Sequence, residues 1–302
     1  MAQQTIRIAT RRSRLAMWQA NHVKRLIENR NSGMNCELLP MSTSGDVLVD
    51  RTLQSEGGKG LFLKELEQAL VDNQADLAVH SMKDVPIHLE VGLTLKSIGE
   101  RGSAQDVFVS NFEIYELPVG SKIGTSSSRR RALLAYVYKR SEIVPIRGNV
   151  ETRLRKLDEG EVDGLVLAAA GLERLELEKR VRSILPKNVF VPAVGQGVLA
   201  AEFRDDRKDI LALLSELSDP DVETTSRAER LVAEIVGADC AGAFGVHCEK
   251  VDLVYKLTAI ALSDSGERAI QTEIEHKDAR AAAEEAGQRL LKLGAATLLG
   301  AT

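Results

Sequence analysis

Three consecutive pieces decide the fold class: Ile6-Arg7-Ile8-Ala9-Thr10, then Ser13-Arg14-Leu15-Ala16-Met17-Trp18-Gln19-Ala20-Asn21-His22-Val23-Lys24-Arg25-Leu26-Ile27-Glu28, then Cys36-Glu37-Leu38-Leu39-Pro40-Met41. The outer two are short and largely apolar, as strands are. In the middle piece Ala16, Ala20, Val23 and Ile27 recur at helical spacing behind Ser13, whose hydroxyl can cap a helix. Further on, Gly57-Gly58-Lys59-Gly60 is a flexible loop before a helix striped by Phe62, Leu63, Leu66, Ala69 and Leu70, and a strand over 77–80 closes the unit. Strands alternating with helices predict βαβ connections and an open, largely parallel sheet.

The same style resumes near residue 103. Strands are expected over 107–110, 122–125, 143–146 and 164–168, with helices over 128–138 and 150–157 between them. Two short Gly-containing connectors, 99–103 and 192–197, can act as hinges. From about Asp219 the pattern changes to a helix over 225–236, a small-residue turn around Cys240, strands over 251–262 and 270–275, and a helix over 278–293 stopped by Gly294. That reads as a separate α+β module.

The chain has 302 residues, 44% hydrophobic and 28% charged, which suits a water-soluble protein of two or three compact units. The apolar run 164–170 is far short of the roughly 20 residues that span a bilayer. The amino terminus carries no export-like apolar stretch, so a cytoplasmic location and no membrane are expected. Cys36, Cys240 and Cys248 show neither disulfide nor zinc-ligand spacing, and no metal is expected. With 40 Lys and Arg against 44 Asp and Glu, the net charge of -4 gives no general attraction to nucleic acid.

Any anion must therefore be met by locally gathered cations. Arg11 follows the first strand, Lys59 sits in the Gly loop, Lys83 follows the strand ending at His80, and Arg129 and Arg130 open a helix after Thr125-Ser126-Ser127. Arg147 precedes Gly148-Asn149, and Arg153 and Arg174 lie near later helix starts. Open α/β sheets bind ligands beyond the carboxyl ends of their strands, where helix N-termini also offer N–H groups. Any one such arginine is ordinarily a solvated charge, but their repetition points to a polyanion. Asp84, just after a strand and beside Lys83, reads equally as a catalytic carboxylate or as a turn cap. His80 reads as structural, and Ser81 as structural with room for a ligand contact. Cys240 lies among small residues that let something large approach its sulfur, although a lone cysteine is more often a small buried hydrophobe. Cys36 and Cys248 read as packing residues. The Gly-rich loops match neither the phosphate-loop nor the dinucleotide fingerprint.

Arg7-Ile8-Ala9-Thr10-Arg11, Gly57-Gly58-Lys59-Gly60-Leu61-Phe62, His80-Ser81-Met82-Lys83-Asp84-Val85-Pro86, Gly124-Thr125-Ser126-Ser127, Arg147-Gly148-Asn149-Val150 and Pro192-Ala193-Val194-Gly195-Gln196-Gly197 together resemble the porphobilinogen deaminase (hydroxymethylbilane synthase) family, in its order and along nearly the whole chain. The resemblance implies an α/β fold: two periplasmic-binding-protein-like domains with open mixed sheets, 1–99 with 198–217 and 103–192, facing each other across a cleft, plus a small C-terminal α+β domain, 219–302. It implies a covalent dipyrromethane cofactor on Cys240, with Asp84 contacting pyrrole nitrogens. Acetate and propionate groups would be held by Arg11, Ser13, Lys59, Ser81, Lys83, Thr125, Ser127, Arg129, Arg130, Arg147, Arg153 and Arg174. The implied activity is that of a monomeric transferase condensing four porphobilinogen molecules head to tail with loss of ammonia. Hydrolysis then releases hydroxymethylbilane for tetrapyrrole synthesis, and the product passes to uroporphyrinogen-III synthase. Ser55, Asp239 and Ala241-Gly242-Ala243 depart from the family's usual residues. A two-lobed small-anion binding protein without catalysis shares the fold and is the alternative; for a transfer enzyme using Cys240 as nucleophile, no partner histidine is evident near it in sequence.

Overall fold

The computed structural model describes residues 4–31, 33–42, 63–139, 141–238 and 242–300. By internal contacts the chain forms two compact units, residues 1–101 with 198–223, and 102–197 with 224–302. Its backbone passes between them at 101/102, within the first Gly-containing connector, at 197/198, at the end of the second, and again at 223/224.

The first unit is built on strands β1 (Gln4–Arg11), β2 (Met34–Met41), β3 (Leu77–Ser81), β4 (Leu93–Ile98) and β10 (Leu199–Arg204), ordered β2-β1-β3-β10-β4. β2, β1 and β3 are parallel, whereas β10 runs antiparallel to both its neighbours, so the sheet is mixed. Helix α1 (Arg14–Arg30) starts where Ser13 accepts a hydrogen bond from the Ala16 amide at 3.3 Å. It buries Ala16, Gln19, Ala20, Val23 and Ile27, and this face packs against Ile6, Ile8, Leu77 and Val79 of the sheet. Truncating one of those large side chains, Ile27 for instance, should cost about 2–5 kcal/mol. The opposite face, with Ala9 and Ala78, is covered by Leu66, Ala69 and Leu70 of α2 (Lys64–Val71). The Gly loop expected before this helix, and Phe62 of its expected stripe, lie outside the described residues.

The second unit repeats the plan with β5 (Asp106–Ser110), β6 (Lys122–Gly124), β7 (Glu142–Val144), β8 (Gly164–Ala168) and β9 (Ser183–Ile184), ordered β7-β6-β8-β5-β9. Again three strands are parallel and the fourth, β5, is antiparallel. The helices are α3 (Ser128–Val137), α4 (Val150–Asp158) and α5 (Ala169–Arg174), followed in the chain by α6 (Lys208–Leu217) of the first unit and α7 (Pro220–Val236). The two open mixed sheets thus share one strand plan.

A third sheet, β11 (Phe244–Val251), β12 (Val254–Leu262) and β13 (Ala269–His276), is antiparallel and backed by α8 (Ala279–Lys292), with a short α9 (Ala295–Leu299) closing the chain. It keeps its own hydrogen-bonded sheet. Ala243, Ile260 and Leu262 pack in one cluster with Phe108, Leu133, Phe190 and Val191, which is why this portion falls in one compact unit with residues 102–197.

Two element boundaries differ from expectation for local reasons. The strand expected over 251–262 is the turn and second arm of a hairpin, reversed at Asp252 with φ 53°. The helix expected from 225 starts at Pro220, because Asp219 accepts hydrogen bonds from the Asp221 and Val222 amides and proline is preset for a first helical position. No described helix is long and apolar enough to cross a membrane.

Candidate functional site

In the first unit the candidate residues follow the carboxyl ends of the adjacent parallel strands β1 and β3. Arg11 ends β1, Ser13 caps α1, and Ser81 ends β3 before a single 3-10 turn, Met82–Asp84. The buried Gln19 amide donates to Ser81 Oγ at 2.7 Å, and the Met82 amide donates to the Val198 carbonyl at 3.0 Å, so helix, turn and crossing strand are tied at one sheet edge. With Met82 and Val85 buried, the turn leaves Asp84 exposed, and among the described residues its carboxylate joins no hydrogen bond or ion pair. An uncapped, solvent-facing carboxylate on an anchored turn does not serve as the turn cap that the residues alone allowed.

Behind this edge His80 is buried, and its Nε2 lies 3.2 Å from Oε2 of the fully buried Glu202 on β10. The contact is close but too poorly aligned for a hydrogen bond, and neither Glu202 oxygen has a hydrogen-bond partner among the described residues. Burial, then Glu202, pushes the carboxyl of Glu67 on α2 above the usual carboxylate range.

In the second unit Thr125 follows β6, and its Oγ1 accepts from the Ser127 amide at 3.2 Å. Ser127 caps α3 by accepting from the Arg130 amide at 3.4 Å. Arg129 and Arg130 do not project into solvent as helix-start cations usually do. Both are buried, 4% and 6% exposed, around Asp106, which is 0% exposed. Arg129 donates through Nη2 to Asp106 Oδ2 at 2.7 Å and through Nη1 to the Val191 carbonyl at 2.7 Å. Arg130 donates to Asp106 Oδ1 through Nε at 3.0 Å and Nη2 at 2.7 Å, and through Nη1 to the Val166 carbonyl at 2.9 Å. Two guanidiniums therefore face one carboxylate, and Arg129 Nε is buried with no hydrogen-bond partner among the described residues. Burial pulls the Arg129 pKa down, against the opposing pull of Asp106. A surplus positive charge and an orphaned buried donor are what a carboxylate ligand would satisfy.

Arg147 follows β7, and Asn149 caps α4 by accepting from the Thr152 amide at 2.8 Å. Arg153, in the first turn of α4, donates through Nε to the Gly148 carbonyl at 2.7 Å. Arg174 closes α5 rather than opening a helix, and donates to the Gly197 carbonyl at 2.6 Å. Its burial brings the pKa down to about 10, opposed by Glu173. Lys59 and Cys240 lie outside the described residues, as do Ser55, Asp239 and Ala241.

Sequence reasoning missed Asp106, Gln196, Gln19 and Glu202. Glu202 had a visible signal, a single carboxylate inside the apolar run 198–203. Gln196 lay in a quoted motif but was read only as part of a hinge.

Residues 6–212 match the family model described as porphobilinogen deaminase, dipyromethane cofactor binding domain. The porphobilinogen deaminase of Chromobacterium violaceum is 46% identical over 261 residues, spanning 86% of this chain and 84% of that protein. That of Thiobacillus denitrificans is 43% identical over 301 residues, 98% of each. Among solved structures, the methionine binding protein MetQ is similar at a TM-score of 0.43 and 15% identity, over 72% of this chain and 91% of that one.

Proposed function

The chain belongs to the porphobilinogen deaminase family, and from that premise we propose that it is a hydroxymethylbilane synthase, a transferase that joins four porphobilinogen molecules and releases a linear tetrapyrrole. The observation that carries the reading beyond family membership is the buried Arg129–Arg130 pair, left one carboxylate short by Asp106 with Arg129 Nε unsatisfied. Such a pair suits a ligand whose every ring brings two carboxylates. A two-lobed binding protein without catalysis is less well supported, because relatives matching nearly the full chain are named as the enzyme.

The same residues fit the family's dipyrromethane cofactor, which bears carboxylates and would be held by Arg129, Arg130, Thr125 and Ser127 and attached through Cys240. When bound, it supplies the nucleophilic pyrrole carbon at which the chain grows. Arg11, Lys83, Arg147, Arg153 and Arg174, with Ser13, Ser81 and Lys59, neutralise the carboxylates that accumulate as rings are added. Asp84 accepts hydrogen bonds from pyrrole N–H groups, opposes the positive charge that develops on them, and takes up or returns the proton of each substitution. An exposed carboxylate with no competing partner among the described residues is suited to that work. Cys240 acts as an anchor and is not consumed in turnover. The enzyme works as a cytoplasmic monomer whose unstable product is passed to a cyclising synthase.

The test is Asp84→Asn. Added mass on the purified protein should persist while porphobilinogen consumption falls at least about a hundredfold. Turnover like that of the wild type would remove Asp84 from the mechanism.

A further inference from the structure

The Arg129 guanidinium has three supports. Asp106 Oδ2 accepts from Nη2 at 2.7 Å, the Val191 carbonyl accepts from Nη1 at 2.7 Å, and the Phe190 ring centroid lies 6.0 Å from Cζ. What remains is Nε, buried and without a hydrogen-bond partner among the described residues. Two of the three supports come from the adjacent residues Phe190 and Val191, so the backbone over 190–192 sets which way the planar group and its spare donor face.

That backbone is in turn seated on the third sheet. Gly245 of β11 pairs with Ile260 of β12, and Leu262 lies two residues further along the same face. Ile260 and Leu262 pack with Phe190 and Val191. Gly245 leaves room on that face for backbone: a β-carbon there would lie 2.6 Å from the Val191 carbonyl oxygen and 3.0 Å from that of Pro192. The next residue, Val246, donates its amide to the Pro192 carbonyl at 2.9 Å. Gly245 stands five positions after Cys240 (245 minus 240), the proposed anchor.

We infer that Gly245 and Val246 are positioning residues for the cofactor's anion site: by seating Val191 and Pro192 they fix the Val191 carbonyl against Arg129 Nη1 and leave Nε as the donor for a cofactor carboxylate. The strand that begins just after the anchor thereby sets the arginine that meets the anchored group. A side chain at 245 would displace a backbone carbonyl, which cannot swing aside as the end of a flexible side chain does, and Nη1 would lose its acceptor or follow it. The inference rests on the functional reading above, which gives Arg129 a cofactor carboxylate, but its residues and one of its readouts are separate.

The experiment compares the intact masses of purified wild type, Gly245→Ala and Asp278→Ala, and amide hydrogen exchange in wild type and Arg129→Lys. Gly245→Ala should raise the ratio of unloaded to loaded protein about tenfold, the effect of misplacing one charge-assisted hydrogen bond. Asp278→Ala weakens the helix behind the same sheet without touching 190–192, and should keep the wild-type ratio. Coupling is reciprocal, so Arg129→Lys should speed exchange at the Val246 amide at least about threefold relative to the Leu257 amide of the central strand β12. That arm leaves residue 245 unchanged and decides the matter if Gly245→Ala does not fold. Wild-type loading in Gly245→Ala, an equal rise in Asp278→Ala, or unchanged relative exchange at Val246 overturns the inference. A wild type that never carries added mass defeats the functional reading instead.

Discussion

A β-carbon at Gly197 would lie 2.4 Å from the Gly102 carbonyl oxygen, on backbone whose φ of 89° L side chains rarely adopt. Gly197→Ala should therefore destabilise the protein by about 1–3 kcal/mol, read as a lower urea midpoint at unchanged slope; an unchanged midpoint would mean that the connector is not held as described. Such positions were legible as glycine, but the reason for each was not, because the obstructing atom is 95 residues away in sequence (197 minus 102). Asp106 was hidden for the same reason. Its partners stand 23, 24 and 90 positions along the chain, and nothing in Gln105-Asp106-Val107 distinguishes a buried hub from an ordinary strand-start aspartate. The arginines were visible as cations after strands, whereas their burial against one carboxylate was not.

At the scale of elements, helices announced themselves through caps and stripes. Asp278 accepts from the Ala281 amide at 2.7 Å and starts α8, whose Ala282, Ala283, Ala286 and Leu290 are buried. Asp278→Ala should cost about 1 kcal/mol in thermal or chemical unfolding while leaving turnover unchanged, and a loss of activity without loss of stability would contradict a purely capping role. Strands were harder. β8 was read to the residue because it is a continuous apolar run, whereas β11 was missed: its Gly245-Val246-His247-Cys248 alternates weakly, and its reversal at Asp252 depends on a left-handed non-glycine residue. β10 escaped because Glu202 interrupts its apolar pattern, and that interruption reports a buried pairing with His80.

For the whole molecule, the strand plan was only half legible: the parallel triplets follow from βαβ spacing, but β5 and β10 run antiparallel because each enters its sheet from across the unit boundary, and local patterns carry no record of that. Stability should also carry the mark of one charge network, in which Arg7 and Arg207 both bond the buried Asp76 and Arg207 also bonds Asp209. Burial alone would raise the Asp76 carboxyl, but the bonds from Arg7 and Arg207 carry it below its ordinary value, and Arg207 holds Asp209 at about 2. A depressed carboxylate contributes its stability above the unfolded-state value, so the urea midpoint should be level near neutrality and fall as pH drops below about 4. Asp76→Asn should be less stable at neutral pH and lose part of that acid dependence; an identical pH profile would show that the network does not act on folding. The central claim, a pyrrole primer held by sulfur and neutralised by arginine, is tested most directly by the intact mass of freshly purified protein. The wild type should exceed its sequence mass by one dipyrromethane and Cys240→Ser should not, whereas a wild type at its bare sequence mass that still converts porphobilinogen to a bilane would contradict the account.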